Sequence, residues 1–115
     1  RAMQAAAEGL RRGMVLVIFP EGGRSLDGSV MEFRRGAAIL ARNLDVPITP
    51  VGIWGAHQVW PREGRIRRHP LVLSYGPTLS PGGSPSEEAL LGELREEVIR
   101  LVDESSRAHD EASLN

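Results

Sequence analysis

Apolar and polar positions divide this chain into blocks with different periods. Residues 1–12 (RAMQAAAEGLRR) are rich in Ala, Gln, Glu and Arg, which favour helix, and Gly13 stands where a helix likes a left-handed residue. This predicts a helix ending at Gly13. Met14 to Phe19 (MVLVIF) is an unbroken apolar run heavy in Val and Ile, the pattern of a strand buried on both faces of a parallel sheet. Pro20 closes it, and a polar, glycine-rich loop follows from Glu21 to Ser29. Ala37, Leu40, Ala41 and Leu44 then fall on one face of a helix over about residues 35–44.

Pro47 to Trp54 (PITPVGIW) reads as a second strand, whose two prolines confine it to an edge or an irregular start. Leu71 to Tyr75 (LVLSY) is a third, closed by Gly76 and Pro77. Beyond the turn-rich SPGGSPS connector, Ser84, Pro85 and Glu87 match the N-cap, N1 and N3 positions of a capping box. The helix they open carries an apolar stripe at Leu90, Leu91, Leu94, Val98, Leu101 and Val102. From about Ser105 the stripe is lost, which predicts a frayed polar tail over 105–115. The alternation argues for the α/β class: a partial mixed or parallel sheet of three or four strands flanked by helices, in one domain over residues 1–104.

Length and composition narrow the chemistry. At 115 residues, with 41% apolar and 25% charged positions, the chain suits one packed core rather than a disordered or fibrous polymer. The net charge is -1, so no global basic field draws it to nucleic acid, and any anion site is local. All 14 basic residues are Arg, a planar two-pronged donor suited to phosphate and carboxylate; a GC-rich coding bias accounts for the same excess. There is no Cys, which excludes disulfides and thiolate nucleophiles, and no spacing of ligands predicts a metal site. The longest apolar run is far short of the roughly 18 to 20 residues a bilayer requires. The chain opens on Arg1 rather than Met and carries no signal-peptide pattern, so we expect it to begin inside a longer protein.

The strongest chemical candidate is FPEGGRS, Phe19 to Ser25. It places a carboxylate, two glycines, an Arg and a hydroxyl beyond the C-terminal end of the first predicted strand, the edge where open α/β sheets bind ligands. Gly22 and Gly23 let backbone N–H groups approach an anion, and Arg24 offers a charge-assisted donor pair for phosphate. An ordinary strand-exit turn with a solvated Arg24 accounts for the same residues equally well.

The ordered segments VLVIFPEGGRS, FRRGAAILA and VPITPVGIWG resemble the second half of the PlsC-type glycerolipid acyltransferases, among them the 1-acylglycerol-3-phosphate acyltransferases. The resemblance covers roughly Gly9 to Gly76. It implies the C-terminal portion of a glycerol-3-phosphate acyltransferase-like fold, and a reaction in which a fatty acyl group passes from acyl-CoA or acyl carrier protein to the hydroxyl of a lysophosphatidate-like acceptor. These are co-substrates, and no cofactor is implied. Glu21, Gly22, Arg24 and Ser25 correspond to the family's acceptor-binding motif, with Arg24 implied to hold the phosphate; Gly23 stands where the motif usually has Thr. Val46, Pro47, Ile48, Pro50 and Val51 resemble the hydrophobic fourth motif, implicated in the acyl-donor pocket. The resemblance also implies a peripheral enzyme at the cytoplasmic face of a membrane.

One departure is large. The family's general base is a His followed, after four intervening residues, by an Asp that fixes its tautomer. Five places after His57, His69 and His109 stand Arg62, Ser74 and Leu114, so no catalytic residue is assigned in this chain. The pair, and the family's second, phosphate-sharing motif, are expected in an N-terminal part of the same protein upstream of Arg1. The alternative is a non-catalytic phospholipid- or acyl-binding module that lacks the base.

Other residues have two readings each. Glu21 reads as an ion-pair partner for Arg24 in preference to a second acid or base. Arg34 and Arg35 either reach a substrate phosphate or the pyrophosphate of coenzyme A, or face solvent at a helix start. His57 reads as an ordinary hydrogen-bonded histidine. Arg62, Arg65, Arg67 and Arg68 around Ile66 form a basic patch able to touch anionic lipid, or a solvated loop. The glutamates Glu88, Glu93, Glu96 and Glu97 on the last helix argue for packing on the sheet, not for lying on a membrane. With aromatic residues at 4% there is no stacking platform for RNA, and no nucleic-acid partner is expected.

Overall fold

The computed structural model describes residues 2–23 and 25–113. Helix α1 (Ala2–Arg11) ends as expected at Gly13, whose φ of 80° is left-handed. The Gly13 N–H donates to the Leu10 carbonyl at 3.0 Å and the Met14 N–H to the Gly9 carbonyl at 3.0 Å, the paired closure that satisfies carbonyls at a helix end. Helix α2 (Gly36–Leu44) presents Ala38 and Ala41 to the core, where they meet Leu90 and Leu94 with Phe33, Val46, Ile48, Leu79 and Leu91 around them.

Strands β1 (Val51–Trp54) and β2 (Val72–Tyr75) form a two-stranded antiparallel sheet with Val51 opposite Tyr75, Gly52 opposite Ser74 and Trp54 opposite Val72. The pairing continues irregularly through a bridge of Ile48 to Leu79, so the strand does start late, beyond Pro50, as its prolines require. A short helix, α3 (Ala56–Val59), follows β1.

Helix α4 (Glu87–Ser113) is the spine. Its first half packs on α2 and its middle crosses the sheet, where the approach is close enough to involve backbone. A Cβ on Gly52 would stand 2.5 Å from Leu101 Cβ and 2.6 Å from the Val102 nitrogen. Opposite Gly52 in register, Ser74 meets the buried Ser105 at 2.6 Å. Ser105 Oγ donates to the Leu101 carbonyl at 2.9 Å, which leaves Ser74 as the donor across the interface. Two positions along the same face, Trp54 stacks on His109 with ring centroids 4.7 Å apart.

Three expectations are corrected. Met14 to Phe19 forms no strand: no ladder within the described residues reaches it, and all six side chains are exposed, Val15 at 91%. Apolar composition favours a strand but cannot supply the neighbour whose N–H and C=O groups make one. The sheet accordingly has two strands among the described residues, antiparallel to each other. Second, the cap of α4 is Ser86, whose Oγ accepts the Ala89 N–H at 3.1 Å. Ser84 is drawn instead into a 3₁₀ turn over Pro81–Gly83, and its hydroxyl donates to Glu93. Third, the tail does not fray at Ser105. Arg100 pairs with Glu97 and Glu104, and Arg107 with Asp103, and the Ser105 and His109 contacts with the sheet carry the helix on to Ser113.

Candidate functional site

The loop carrying FPEGGRS leaves the exposed apolar run at Phe19 and returns to α2 at Arg35. Both of its arms are tied together. The Arg34 N–H donates to the Pro20 carbonyl at 2.7 Å, and the Met31 N–H donates to Glu21 Oε2 at 2.8 Å. On the far side Arg95 of α4 donates from Nε to the Met31 carbonyl (3.0 Å) and from Nη2 to the Val30 carbonyl (2.9 Å). Glu21 thus anchors backbone, and α4 holds the returning arm in place.

Gly22 adopts a φ of 71°, a conformation costly for a residue with a Cβ. The space such a Cβ would need is taken by the Cδ, Nε and Cζ atoms of Arg34. Gly23 differs: nothing lies within 4 Å of a Cβ there. Its departure from the threonine usual in this motif therefore leaves an open position, not a packed one. Arg24 lies outside the described residues.

Ser25 to Ser29 make a self-contained turn. Ser25 Oγ donates to Asp27 Oδ1 at 3.0 Å and accepts the Gly28 N–H at 3.0 Å. The same Asp27 oxygen accepts the Ser29 N–H and hydroxyl at 2.9 and 2.6 Å. These donors, the Ser29 hydroxyl foremost, hold the Asp27 carboxyl down from its ordinary 3.8 to about 2. The Ser25 hydroxyl is therefore occupied in fixing the turn. On Gly28 (φ 85°) rests the His57 ring of α3, which seats the motif turn on the segment that follows β1.

The Val46 to Val51 segment lies elsewhere. Val46 and Ile48 face the α2–α4 core, Pro47 is exposed and Pro50 buried, and Val51 pairs with Tyr75. Among the described residues, neither of the two open cavities along α2 is lined by these residues or by the motif loop. Two open cavities lie along α2, one lined by Arg35, Asn43, Ser86 and Glu87, the other by Asp45, Pro81 and Ser84, with Arg42 between them. The two successive arginines part company here: Arg35 pairs with Glu87 at 2.8 Å, whereas Arg34 covers Gly22. Arg95 and Met31 were not legible as site residues, since their contact joins positions 64 apart.

A basic loop follows α3. Arg62, Arg65, Arg67 and Arg68 are exposed, together with Ile66 and Trp60. It is shaped by the Arg67 N–H bonding the Val59 carbonyl at 2.7 Å and the Gly64 N–H bonding the Pro61 carbonyl at 3.1 Å. His69, by contrast, stacks obliquely on Trp54. No described helix is long and apolar enough to cross a membrane, and the described residues hold no cluster of metal ligands.

The chain is similar to known proteins in sequence and in fold. The family described as Acyltransferase matches residues 1–54. A 1-acyl-sn-glycerol-3-phosphate acyltransferase of Limnanthes douglasii is 35% identical over 85 residues, covering 69% of this chain and 30% of that protein. One from Pseudomonas aeruginosa is 40% identical over 57 residues, covering 50% of this chain and 22% of its own length. The crystal structure of the 1-acyl-sn-glycerophosphate (LPA) acyltransferase PlsC from Thermotoga maritima superposes with a TM-score of 0.83 at 37% identity, over 90% of this chain and 44% of that one. The fold and the motif loop define an acyltransferase-type α/β unit. The chain belongs to the PlsC-type glycerolipid acyltransferase family, and it spans about 30% of the length of the Limnanthes relative.

Proposed function

We propose that this chain forms the acceptor-binding part of a 1-acylglycerol-3-phosphate acyltransferase of phospholipid biosynthesis. The whole protein transfers a fatty acyl group from acyl-CoA or acyl carrier protein to the free hydroxyl of a lysophosphatidate-like acceptor. The observation that carries this reading is the loop over residues 20–34, pinned at Glu21 and Arg34. It belongs to a motif whose relatives are named for this activity.

In this reading Glu21, Gly22, Gly23, Arg24 and Ser25 form the seat of the acceptor phosphate. Arg24 supplies the charge, Glu21 and Ser25 hold the backbone that presents it, and the glycines allow close approach. Val46, Pro47, Ile48, Pro50 and Val51 form the acyl-donor side, where their role is to shape an apolar wall. The contribution of this chain is positional: a phosphate held fast aims the acceptor hydroxyl at the base and the thioester carbonyl. The base itself, a His paired with an Asp, comes from another part of the protein; it takes the hydroxyl proton as oxygen attacks the thioester, and the thiol leaves.

The exposed arginines of residues 62–68, with Trp60 and Ile66 beside them, support peripheral contact with an anionic leaflet on the cytoplasmic side, where each basic residue near the surface contributes about 1 kcal/mol. Release of free thiol from acyl-CoA by the whole protein, dependent on lysophosphatidate, tests the activity. Lipid binding without thiol release over several donors and acceptors would instead identify a non-catalytic binding module, the reading favoured by the lack of a His-x4-Asp pair in this chain.

A further inference from the structure

We infer that Arg34 is a second phosphate-facing guanidinium of this site, acting beside the motif arginine, while its neighbour Arg35 is a structural residue. The inference rests on the acceptor-binding reading above and assigns one further residue to it. Three observations carry it.

The first is position. The Arg34 guanidinium stem fills the space over Gly22 that any side chain at 22 would need, so its charge lies against the backbone of the motif itself, two residues from Arg24. The backbone at the root of the side chain is fixed by the Arg34 N–H bond to the Pro20 carbonyl at 2.7 Å.

The second is charge balance. Arg12, Arg35, Arg100 and Arg107 each pair with a carboxylate, and Arg95 is engaged by two carbonyls. Arg34 has no carboxylate partner among the described residues, a state it shares with Arg11, Arg42, Arg62, Arg65, Arg67 and Arg68, but it alone of these lies over Gly22, and the motif's own acid, Glu21, directs Oε2 to the Met31 N–H. A cation held on a glycine backbone with its planar donors open matches a tetrahedral dianion, which can accept from two guanidinium groups at once.

The third is the contrast with Arg35. The adjacent side chain points the other way, to Glu87 at the start of α4, and joins α2 to α4. The pair of arginines thus divides into one that closes the fold and one that faces the motif.

The test is equilibrium binding to the whole protein of a short-chain lysophosphatidate and of the matching monoacylglycerol, which differs only in lacking the phosphate. Arg34→Met keeps the apolar stem over Gly22 and removes the charge. We expect it to weaken lysophosphatidate about tenfold, the scale of one lost charge-assisted hydrogen bond, with monoacylglycerol binding and the melting temperature unchanged. Arg34→Lys should regain part of the loss, and Arg35→Met should leave the preference for phosphate intact while lowering the melting temperature. Wild-type affinity in Arg34→Met, or an equal loss for both ligands, overturns the inference and leaves the acceptor reading standing. A wild-type protein that binds both lipids equally, or an Arg24→Met variant with undiminished phosphate preference, overturns the acceptor reading itself.

Discussion

Glu21 and Arg95 grip the same residue from opposite sides: the Met31 N–H donates to Glu21 Oε2 at 2.8 Å, and the Met31 carbonyl accepts from Arg95 Nε at 3.0 Å. One peptide segment therefore couples the motif loop to the longest helix. Cutting either contact should loosen the loop and leave the α2–α4 core intact. We expect Glu21→Ala and Arg95→Ala each to cost about 1 to 2 kcal/mol, the range for a backbone group left without its partner. Amide hydrogen exchange should show protection lost at Met31 and Arg34 while the amides of α4 stay protected.

Gly52 lies where the sheet and α4 come backbone to backbone. A methyl group there would sit 2.5 to 2.6 Å from Leu101 and Val102, and neither neighbour is the free end of a flexible side chain. Gly52→Ala should destabilise by about 1 to 3 kcal/mol, as overpacking does in a closed interface, measured as a drop in the urea midpoint with an unchanged slope.

Gly23 should behave in the opposite way. Its Cβ position is open and its φ is not in the left-handed region, so Gly23→Thr restores the family's usual motif without a clash. The substitution narrows the unfolded ensemble, which gives a gain of about 0.4 to 1 kcal/mol. Thermal melting checks it, and a lowered midpoint would show that the loop needs the glycine.

The Ser25–Ser29 turn should be acid-labile in a defined window. The Asp27 carboxyl is held down from its ordinary 3.8 to about 2 by Ser29 and Ser25. A depressed folded value means that the contribution is fully present above pH 3.8 and is lost as pH falls through about 2. The Ser29 amide resonance should therefore follow a titration centred near 2, and Asp27→Asn should flatten it without changing the pH dependence elsewhere.

The legible parts of this fold were those written in short-range pattern. The stripe at Leu90, Leu94 and Leu101 is helix-periodic and buried, and of the four α2 residues expected on one face Leu40 and Ala41 are buried, whereas Ala37 and Leu44 are half-buried and Ala38, not expected there, is buried in their place. The Val51–Trp54 strand begins late because Pro47 and Pro50 delay it, and Gly13 closes its helix as its lack of a Cβ allows. The motif segment was legible as residues, but the features that build it are long-range. The Arg95 clamp, the seat of Arg34 on Gly22 and the His57 ring over Gly28 join parts of the chain whose spacing carries no period. The extension of α4 past Ser105 escaped for a related reason. Its later turns are held by ion pairs on one side and by a serine and a histidine that meet the sheet, none of which counts as apolar in a stripe. The Met14–Phe19 run misled because composition reports what a strand is made from, and pairing needs a second segment.

The position of α4 also bears on the order of synthesis. Both sheet strands, α2 and the returning arm of the loop all rest on an element translated after them. A nascent chain that stops before Glu87 lacks the helix against which Ala38, Ala41 and Gly52 are shut away from water, so these contacts close only once that helix has been made.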